Sequence, residues 1–263
     1  MSFLFNIPKR PFYSFSDRIK KGTKEDYFFD PEGFEWAKML EENYAVIKQE
    51  IIEHMQSGSA ELKPYFAKDM MNLPGKWKTF SFYFWGIEGS QKAINACPKT
   101  VSFFSSIPGI TSFSVSVMEP QSEIKPHRGD TDAIYRCHLG IEIPDGLPRC
   151  GFYVGYEERP WENGKLLVFN DAAYHKAWNK TDRQRVIILF DVLRAEYVHQ
   201  KQWICSRILG ALLFSLINQK LHIIRNPGNY FRRVFCYGFA LPVFLTMKLG
   251  IKKSLFVKLL TPD

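Results

Sequence analysis

Five groups between residues 116 and 185 have the types and separations of a reaction centre: Ser116, His127, Arg136 with His138, His175, and Arg185. His127 and His175 lie 48 residues apart, a separation that lets two different strands each present an imidazole to one metal ion. Neutral imidazole is a good ligand for Fe(II), and two histidines on separate strands leave coordination positions open for a cosubstrate and dioxygen. Arg185 stands ten positions past the second histidine and opens the apolar run Val186-Ile-Ile-Leu-Phe-Asp-Val192. Its head can therefore be drawn inside a barrel, where a planar guanidinium pairs with a carboxylate through two hydrogen bonds. That arrangement suits an acidic cosubstrate that chelates iron through its other end, as 2-oxoglutarate does. Ser116 adds a hydroxyl donor for the same carboxylate, and Arg136 and His138 share one strand face. His54, His199 and His222 lack such surroundings and read as surface or packing residues.

The elements that must hold these groups are mostly strands. From Thr111 the pattern has a period of two, with Phe113, Val115 and Val117 alternating with Ser112, Ser114 and Ser116. A second strand is expected over 135–143, its odd positions mostly apolar and Arg136, His138 and Gly140 on the opposite face. Further strands are expected over 152–156, 165–169 and 186–192, parted by Asp-Gly, Glu-Asn-Gly and Asn-Lys-Thr-Asp turn signals. Many short strands without helices between them imply a mainly β barrel or jelly roll with flanking helices. Upstream, Asp30-Pro31 has the chemistry of a helix N-cap followed by proline in the first turn. Trp36, Leu40, Tyr44, Ile47, Ile51 and Met55 then form one apolar stripe, and Gly58 is a natural stop. A strand over 76–85 and a short helix over 90–96 complete this part, and residues 1–30 read as an irregular arm.

Length and charge set the outer bounds. The 263 residues are 46% apolar and 16% aromatic, a composition that folds. Of 35 basic and 27 acidic residues, ten and one respectively lie from His199 onward, leaving a nearly neutral 25 and 26 before it. A split of this kind marks a change of role, so the expected organisation is a catalytic unit over 1–198 and a basic, apolar helical extension over 199–263. Residues 234–247 form an uncharged run interrupted by Pro242. It falls short of the roughly 20 apolar residues a spanning helix needs. Two readings stay open for the extension: a segment lying on an anionic bilayer, or a helical layer packed on the barrel with its charges solvated. No nucleic-acid motif accompanies the basic residues. Five cysteines without CxxC spacing read as reduced thiols, and the N-terminus shows no secretory pattern. Together these point to a cytoplasmic protein, peripheral on the membrane through its C-terminal part.

Several ordered motifs then carry a resemblance. They are His127-Arg-Gly-Asp-Thr-Asp132, Arg136-Cys-His-Leu-Gly140, Trp161-Glu-Asn-Gly-Lys-Leu-Leu-Val-Phe-Asn-Asp171, His175-Lys-Ala-Trp178 and Arg185. Upstream of them stand Ser116, Cys97-Pro-Lys-Thr100 and the helix with Phe34-Glu-Trp36 and Leu40-Glu-Glu-Asn43. Over about residues 30–195 the chain resembles the aspartyl/asparaginyl β-hydroxylase family. The resemblance implies a double-stranded β-helix and an Fe(II)- and 2-oxoglutarate-dependent dioxygenase, with ascorbate as an accessory reductant. It implies that His127 and His175 are metal ligands and that Arg185, Ser116, Arg136 and His138 form the 2-oxoglutarate pocket. Asp171 would orient metal-bound water or substrate. Most oxygenases of the superfamily carry an acid two positions after the first histidine; here that position is Gly129, as in the peptide-hydroxylating branch, whereas the lipid branch resembles His-x-Asp. Asp130 stands one residue further on. Arg128-Gly129-Asp130 also spells an adhesion tripeptide, but a metal-binding turn accounts for the same residues. Two positions before Arg136 the resembled enzymes carry an arginine for a substrate carboxylate, and this chain has Ile134. The expected substrate is an Asp- or Asn-like group in a peptide or small molecule, with a membrane lipid as the alternative favoured by Ile134 and the C-terminal extension. A catalytically silent, membrane-docked binding module is the third reading, opposed by the intact His127, His175 and Arg185.

Overall fold

The computed structural model describes residues 26–67, 70–221 and 229–248. The first 25 residues of the expected arm lie outside them. Two antiparallel sheets make the body. The larger is ordered β1 (Phe28–Phe29), β10 (Leu166–Phe169), β7 (Ile134–Glu142), β12 (Arg185–Leu193), β5 (Ile110–Met118), β3 (Trp77–Phe84) and β2 (Lys63–Pro64), with β4 (Ile87–Glu88) hairpinned onto β3. The smaller is ordered β6 (Ser122–His127), β11 (His175–Asn179), β8 (Cys150–Val154) and β9 (Glu157–Arg159). This is the double-stranded β-helix that the resemblance implies.

The period of two along the central strands explains the layering. On β5, β7 and β12 the residues Phe113, Val115, Val117, Cys137, Leu139, Ile141, Ile188 and Phe190 point to one side and are buried against the N-terminal helices. Those helices are α1 (Glu35–Glu42), α2 (Tyr44–Gln56), α3 (Gln91–Ala96) and α4 (Pro98–Ser105). The alternate residues of the same strands, among them Ser116, Met118, Arg136, His138, Arg185 and Asp191, turn toward the smaller sheet. The second core, with Met118, Ile187 and Phe169 from one sheet and Ile124, Phe152, Val154 and Ala177 from the other, lies between them.

The single helix expected from Asp30 is in fact three pieces. The Asp30 side chain accepts from Glu32 N at 3.0 Å and caps only a 3₁₀ turn, Pro31–Gly33. At Asn43 the side chain donates to the Met39 carbonyl at 2.8 Å, competing with the helix ladder and separating α1 from α2. The apolar stripe survives the break because Leu40, Ile47 and Ile51 still face the sheet. α4, which follows Pro98, carries no expectation from sequence. Neither do β6, β9 and β11.

At the other end, α5 (Lys201–Leu221) and α6 (Asn229–Lys248) run along each other. Ile204, Ile208, Leu209 and Leu212 of α5 are buried in one cluster with Trp85, Ile87, Ala133, Ile134 and Leu193 of the body. Among the described residues no helix is long and apolar enough to cross a membrane. All five cysteines are buried, and Cys97, Cys137, Cys150 and Cys205 are free thiols.

Candidate active site

β6 and β11 pair so that His127 and His175 are direct cross-strand partners, with ring centroids 4.2 Å apart. Both rings are buried. His127 Nδ1 lies 2.8 Å from the Lys125 carbonyl and His175 Nδ1 lies 2.9 Å from the Ala173 carbonyl. A carbonyl only accepts, so each Nδ1 carries a proton, and in a neutral ring of this tautomer Nε2 is the nitrogen with the lone pair. Burial, followed by the neighbouring His127, pushes His175 well below the usual histidine range, which keeps it neutral. The backbone carbonyls fix the orientation of both rings, the way metal-binding histidines are commonly held, and make them a candidate pair of nitrogen ligands.

Asp171 stands beside them. Its carboxylate oxygen is 3.7 Å from His175 Nε2 and 2.8 Å from Arg136 Nη1, and its side chain is fully buried. Gly129 N donates to the Asp171 carbonyl at 2.7 Å, and a Cβ at Gly129 would overlap the Asp171 carboxylate. This gives a steric reason for glycine at the place where other oxygenases carry their acid: the volume is already filled by a carboxylate from the loop before β11. Gly129→Ala is accordingly expected to leave the fold intact but to displace Asp171 from Arg136. Metal affinity should fall by about 10–100-fold, the usual cost of disturbing groups just outside the ligands. Titration with Mn(II) under anaerobic conditions measures it, and an unchanged affinity would show that Asp171 plays no part at the metal.

Arg136 and Asp191 are cross-strand partners on β7 and β12. Arg136 Nε reaches Asp191 Oδ1 at 2.7 Å and Nη2 reaches Oδ2 at 3.0 Å. Burial pulls the Arg136 guanidinium down, but Asp171 and Asp191 outweigh it and hold it well above its ordinary value. Arg136 is thus gripped between two carboxylates. Asp191 was invisible to sequence reasoning because it sits in an apolar run, although its even spacing from Arg185 along β12 places it on the site face.

Arg185 lies deeper and is 1% exposed. Its guanidinium packs 4.7 Å over the Trp161 ring, and its Nη atoms approach Ser116 O at 3.4 Å, Ser116 Oγ at 3.5 Å and Met118 Sδ at 3.3 Å. Its Nε has no hydrogen-bond partner, and no carboxylate pairs with it among the described residues. Burial pushes its pKa down to about 10. A buried charge without a counter-ion is costly, by several kcal/mol in general. The pocket is therefore shaped for an anion that the chain itself does not supply. Ser116 Oγ accepts from Trp77 Nε1 at 2.9 Å, which leaves its own proton free to point at such an anion.

His138 links the two halves. Trp161 Nε1 donates to His138 Nδ1 at 3.1 Å, so the neutral ring carries its proton on Nε2 and is a donor there. Burial first, then Arg185 and Arg136, push it well below the usual histidine range. Phe152 and Phe169 contact both His138 and His175 and wall the space between them with apolar rings. Trp161, quoted in the sequence only as part of a motif, proves central: it holds His138 and covers Arg185. It comes so close because a side chain at Gly140 would overlap the Glu162 carbonyl.

The structure thus brings His127, His175, Asp171 and Arg136 into one group and Ser116, Arg185 and His138 into an adjoining one. Arg136 sits with the carboxylates and not against Arg185. Ile134 is fully buried among the hairpin residues, together with Leu193 and Ile204. Among the described residues no set of three His, Cys, Asp or Glu side chains has metal-cage geometry. The protein nitrogens available are those of the two histidines.

Comparison with known proteins accords with this layout. Residues 41–195 match the family model for aspartyl/asparaginyl beta-hydroxylase. An ornithine lipid ester-linked acyl 2-hydroxylase of Rhizobium tropici is 32% identical over 170 residues, which is 63% of this chain and 60% of that protein. The human aspartyl/asparaginyl beta-hydroxylase is 28% identical over 173 residues, 64% of this chain and 22% of that protein. Among solved structures, a prolyl-4-hydroxylase of Pseudomonas putida matches 57% of this chain and 87% of its own length at 14% identity, with a TM-score of 0.40. The chain covers less than two thirds of the length of either curated relative. With the matched segment extending from α1 to the end of β12 and enclosing every residue of the site, the chain belongs to the aspartyl/asparaginyl β-hydroxylase family.

Proposed function

We propose that this protein is an Fe(II)- and 2-oxoglutarate-dependent hydroxylase. The observation that carries the proposal is a cross-strand pair of buried, carbonyl-anchored imidazoles, His127 and His175, close to a buried Arg185 whose Nε has no partner. His127 and His175 would hold the iron. Arg185, with the hydroxyl of Ser116, would hold the far carboxylate of 2-oxoglutarate, and His138 Nε2–H would donate to an oxygen of the same molecule. When bound, iron with 2-oxoglutarate and dioxygen supplies the oxidising power that converts a C–H bond to C–OH, with ascorbate keeping the iron ferrous. The chain's own part is positioning and shielding. Asp171, held by Arg136, orients water or substrate beside His175, and Phe152, Phe169 and Trp161 exclude bulk water. Purified protein with Fe(II) and ascorbate should convert 2-oxoglutarate to succinate. No succinate above the metal-free control would overturn the proposal.

The substrate reading favoured by the site is a membrane lipid. An aspartyl side chain needs an unspent cation near the iron. Ile134 is apolar and turned into the hairpin, and Arg136 is already bound by Asp171 and Asp191. The acyl chain of an aminolipid, as in the name of the Rhizobium tropici protein, makes no such demand. Dispersed ornithine lipid is therefore expected to raise 2-oxoglutarate turnover, whereas aspartyl peptides leave it at its basal rate; the reverse result would restore the peptide reading. The basic C-terminal part would bring the enzyme to its substrate at an anionic membrane surface. The carboxylate clamp has its own test: Asp191→Ala leaves the buried Arg136 with Asp171 as its remaining carboxylate and should lower stability by about 1.5–3 kcal/mol in urea unfolding.

A further inference from the structure

We infer that the outward face of α6 lies on an anionic lipid bilayer and that the α5–α6 hairpin fixes the reacting end of β7 relative to that surface. The inference rests on the membrane-lipid reading of the substrate. Along α6, Cys236, Ala240 and Val243 are buried. Val234, Tyr237, Leu241 and Leu245 occur at steps of three, four and four, and are 51%, 43%, 54% and 48% exposed. Over 234–245 the helix is therefore apolar on both sides, and among the described residues only one side is covered. A helix that is apolar all round belongs in a core or a membrane, and an exposed apolar stripe marks an interaction surface.

The charge of the C-terminal sequence selects the occupant. From His199 onward the chain has ten Lys and Arg against one acid, Asp263. Arg207 stacks 4.4 Å over the Tyr237 ring, and Lys248 ends the helix exposed. Trp203 meets Phe244 at 5.6 Å and Tyr237 at 6.4 Å, placing amphipathic aromatic rings at the edge of the same face, the composition of a membrane–water boundary. Each basic residue near an anionic surface strengthens attachment by about fivefold. Because neither helix is long and apolar enough to span, the face would lie in the plane of the bilayer. The hairpin is not a loose tether. Ile204, Ile208 and Leu209 are packed with Leu193, Trp85 and Ile134, and Ile134 begins the strand that carries Arg136 and His138. Docking of α6 would therefore set the position of the site with respect to the lipid.

Full-length protein is mixed with phosphatidylcholine vesicles that do or do not contain phosphatidylglycerol, and bound protein is separated by flotation. Wild type is expected to float with the phosphatidylglycerol vesicles, and about 0.5 M salt should reduce this strongly, since the Debye length falls to a few ångströms. The double variant Leu241→Asp, Leu245→Asp should bind at least tenfold more weakly while keeping its melting temperature and its basal 2-oxoglutarate turnover. Equal flotation of variant and wild type would overturn the assignment. So would equal binding to both vesicle types, or a soluble dimer that the double variant dissolves, because a second copy would then be the occupant. Vesicle binding without any 2-oxoglutarate turnover would instead remove the proposed chemistry and leave the docking face standing.

Discussion

Replacing His175 by alanine should reduce 2-oxoglutarate turnover by more than about a hundredfold, since even groups one shell beyond a metal's ligands commonly control 10–100-fold in affinity or rate. The reason lies in how few protein ligands there are. His127 and His175 lie with ring centroids 4.2 Å apart and no third His, Cys, Asp or Glu completes a cage among the described residues, so under the proposed function each imidazole would provide half of the protein's hold on the ion. Metal affinity, read by anaerobic Mn(II) titration, should collapse together with turnover. His54→Ala is the control: that ring is equally buried but packs edge-on against Phe80 near the N-terminal helices. It should lose stability without losing metal. If His175→Ala still turns over 2-oxoglutarate at the wild-type rate, the metal is held elsewhere.

The contrast between these histidines shows what a sequence can disclose. The face that carries Ser116, Arg136, His138 and Arg185 was legible because period-two alternation fixes which residues share a side of a sheet, and these four obey it on three central strands. The two strands that bear His127 and His175 were not legible as strands. β6 reads Ser-Glu-Ile-Lys-Pro-His and β11 reads His-Lys-Ala-Trp-Asn, short segments in which polar residues needed for the site interrupt the apolar pattern. They are strands because they pair with each other and β11 pairs on its other side with β8. Asp191 was hidden for the opposite reason, being one charge within a run of aliphatic residues; only the cross-strand register with Arg136 reveals its role. The break at Asn43 is a side-chain effect on a stripe whose apolar spacing continues through it. Ile134 could be recognised as a departure, but why it is apolar becomes clear only when the hairpin is seen packed on it.

Arg185→Met should raise the KM for 2-oxoglutarate by about a hundredfold or more while changing kcat far less. Truncating one partner of a buried, hydrogen-bonded charge pair costs about 2–5 kcal/mol, and every 1.4 kcal/mol is a factor of ten. The far carboxylate of the cosubstrate is remote from the bond that reacts, so the loss falls on binding more than on chemistry. Stability should move the other way. Burial holds the Arg185 pKa at about 10, below the ordinary value of a guanidinium. In the folded protein it is the protonated form that is disfavoured, so the cost is fully present at neutral pH and is relieved only as pH rises through about 10. Methionine keeps much of the volume over Trp161 and removes the charge, and the ligand-free variant should melt no lower than wild type. Adding 2-oxoglutarate to the Mn(II)-loaded protein should then raise the melting temperature of wild type further and leave that of Arg185→Met almost unmoved, because a ligand stabilises only the fold that binds it. A variant that kept both a low KM and the full ligand-induced shift would show that the cosubstrate carboxylate is held by some other group, and that the unpaired guanidinium beneath Trp161 serves a different anion.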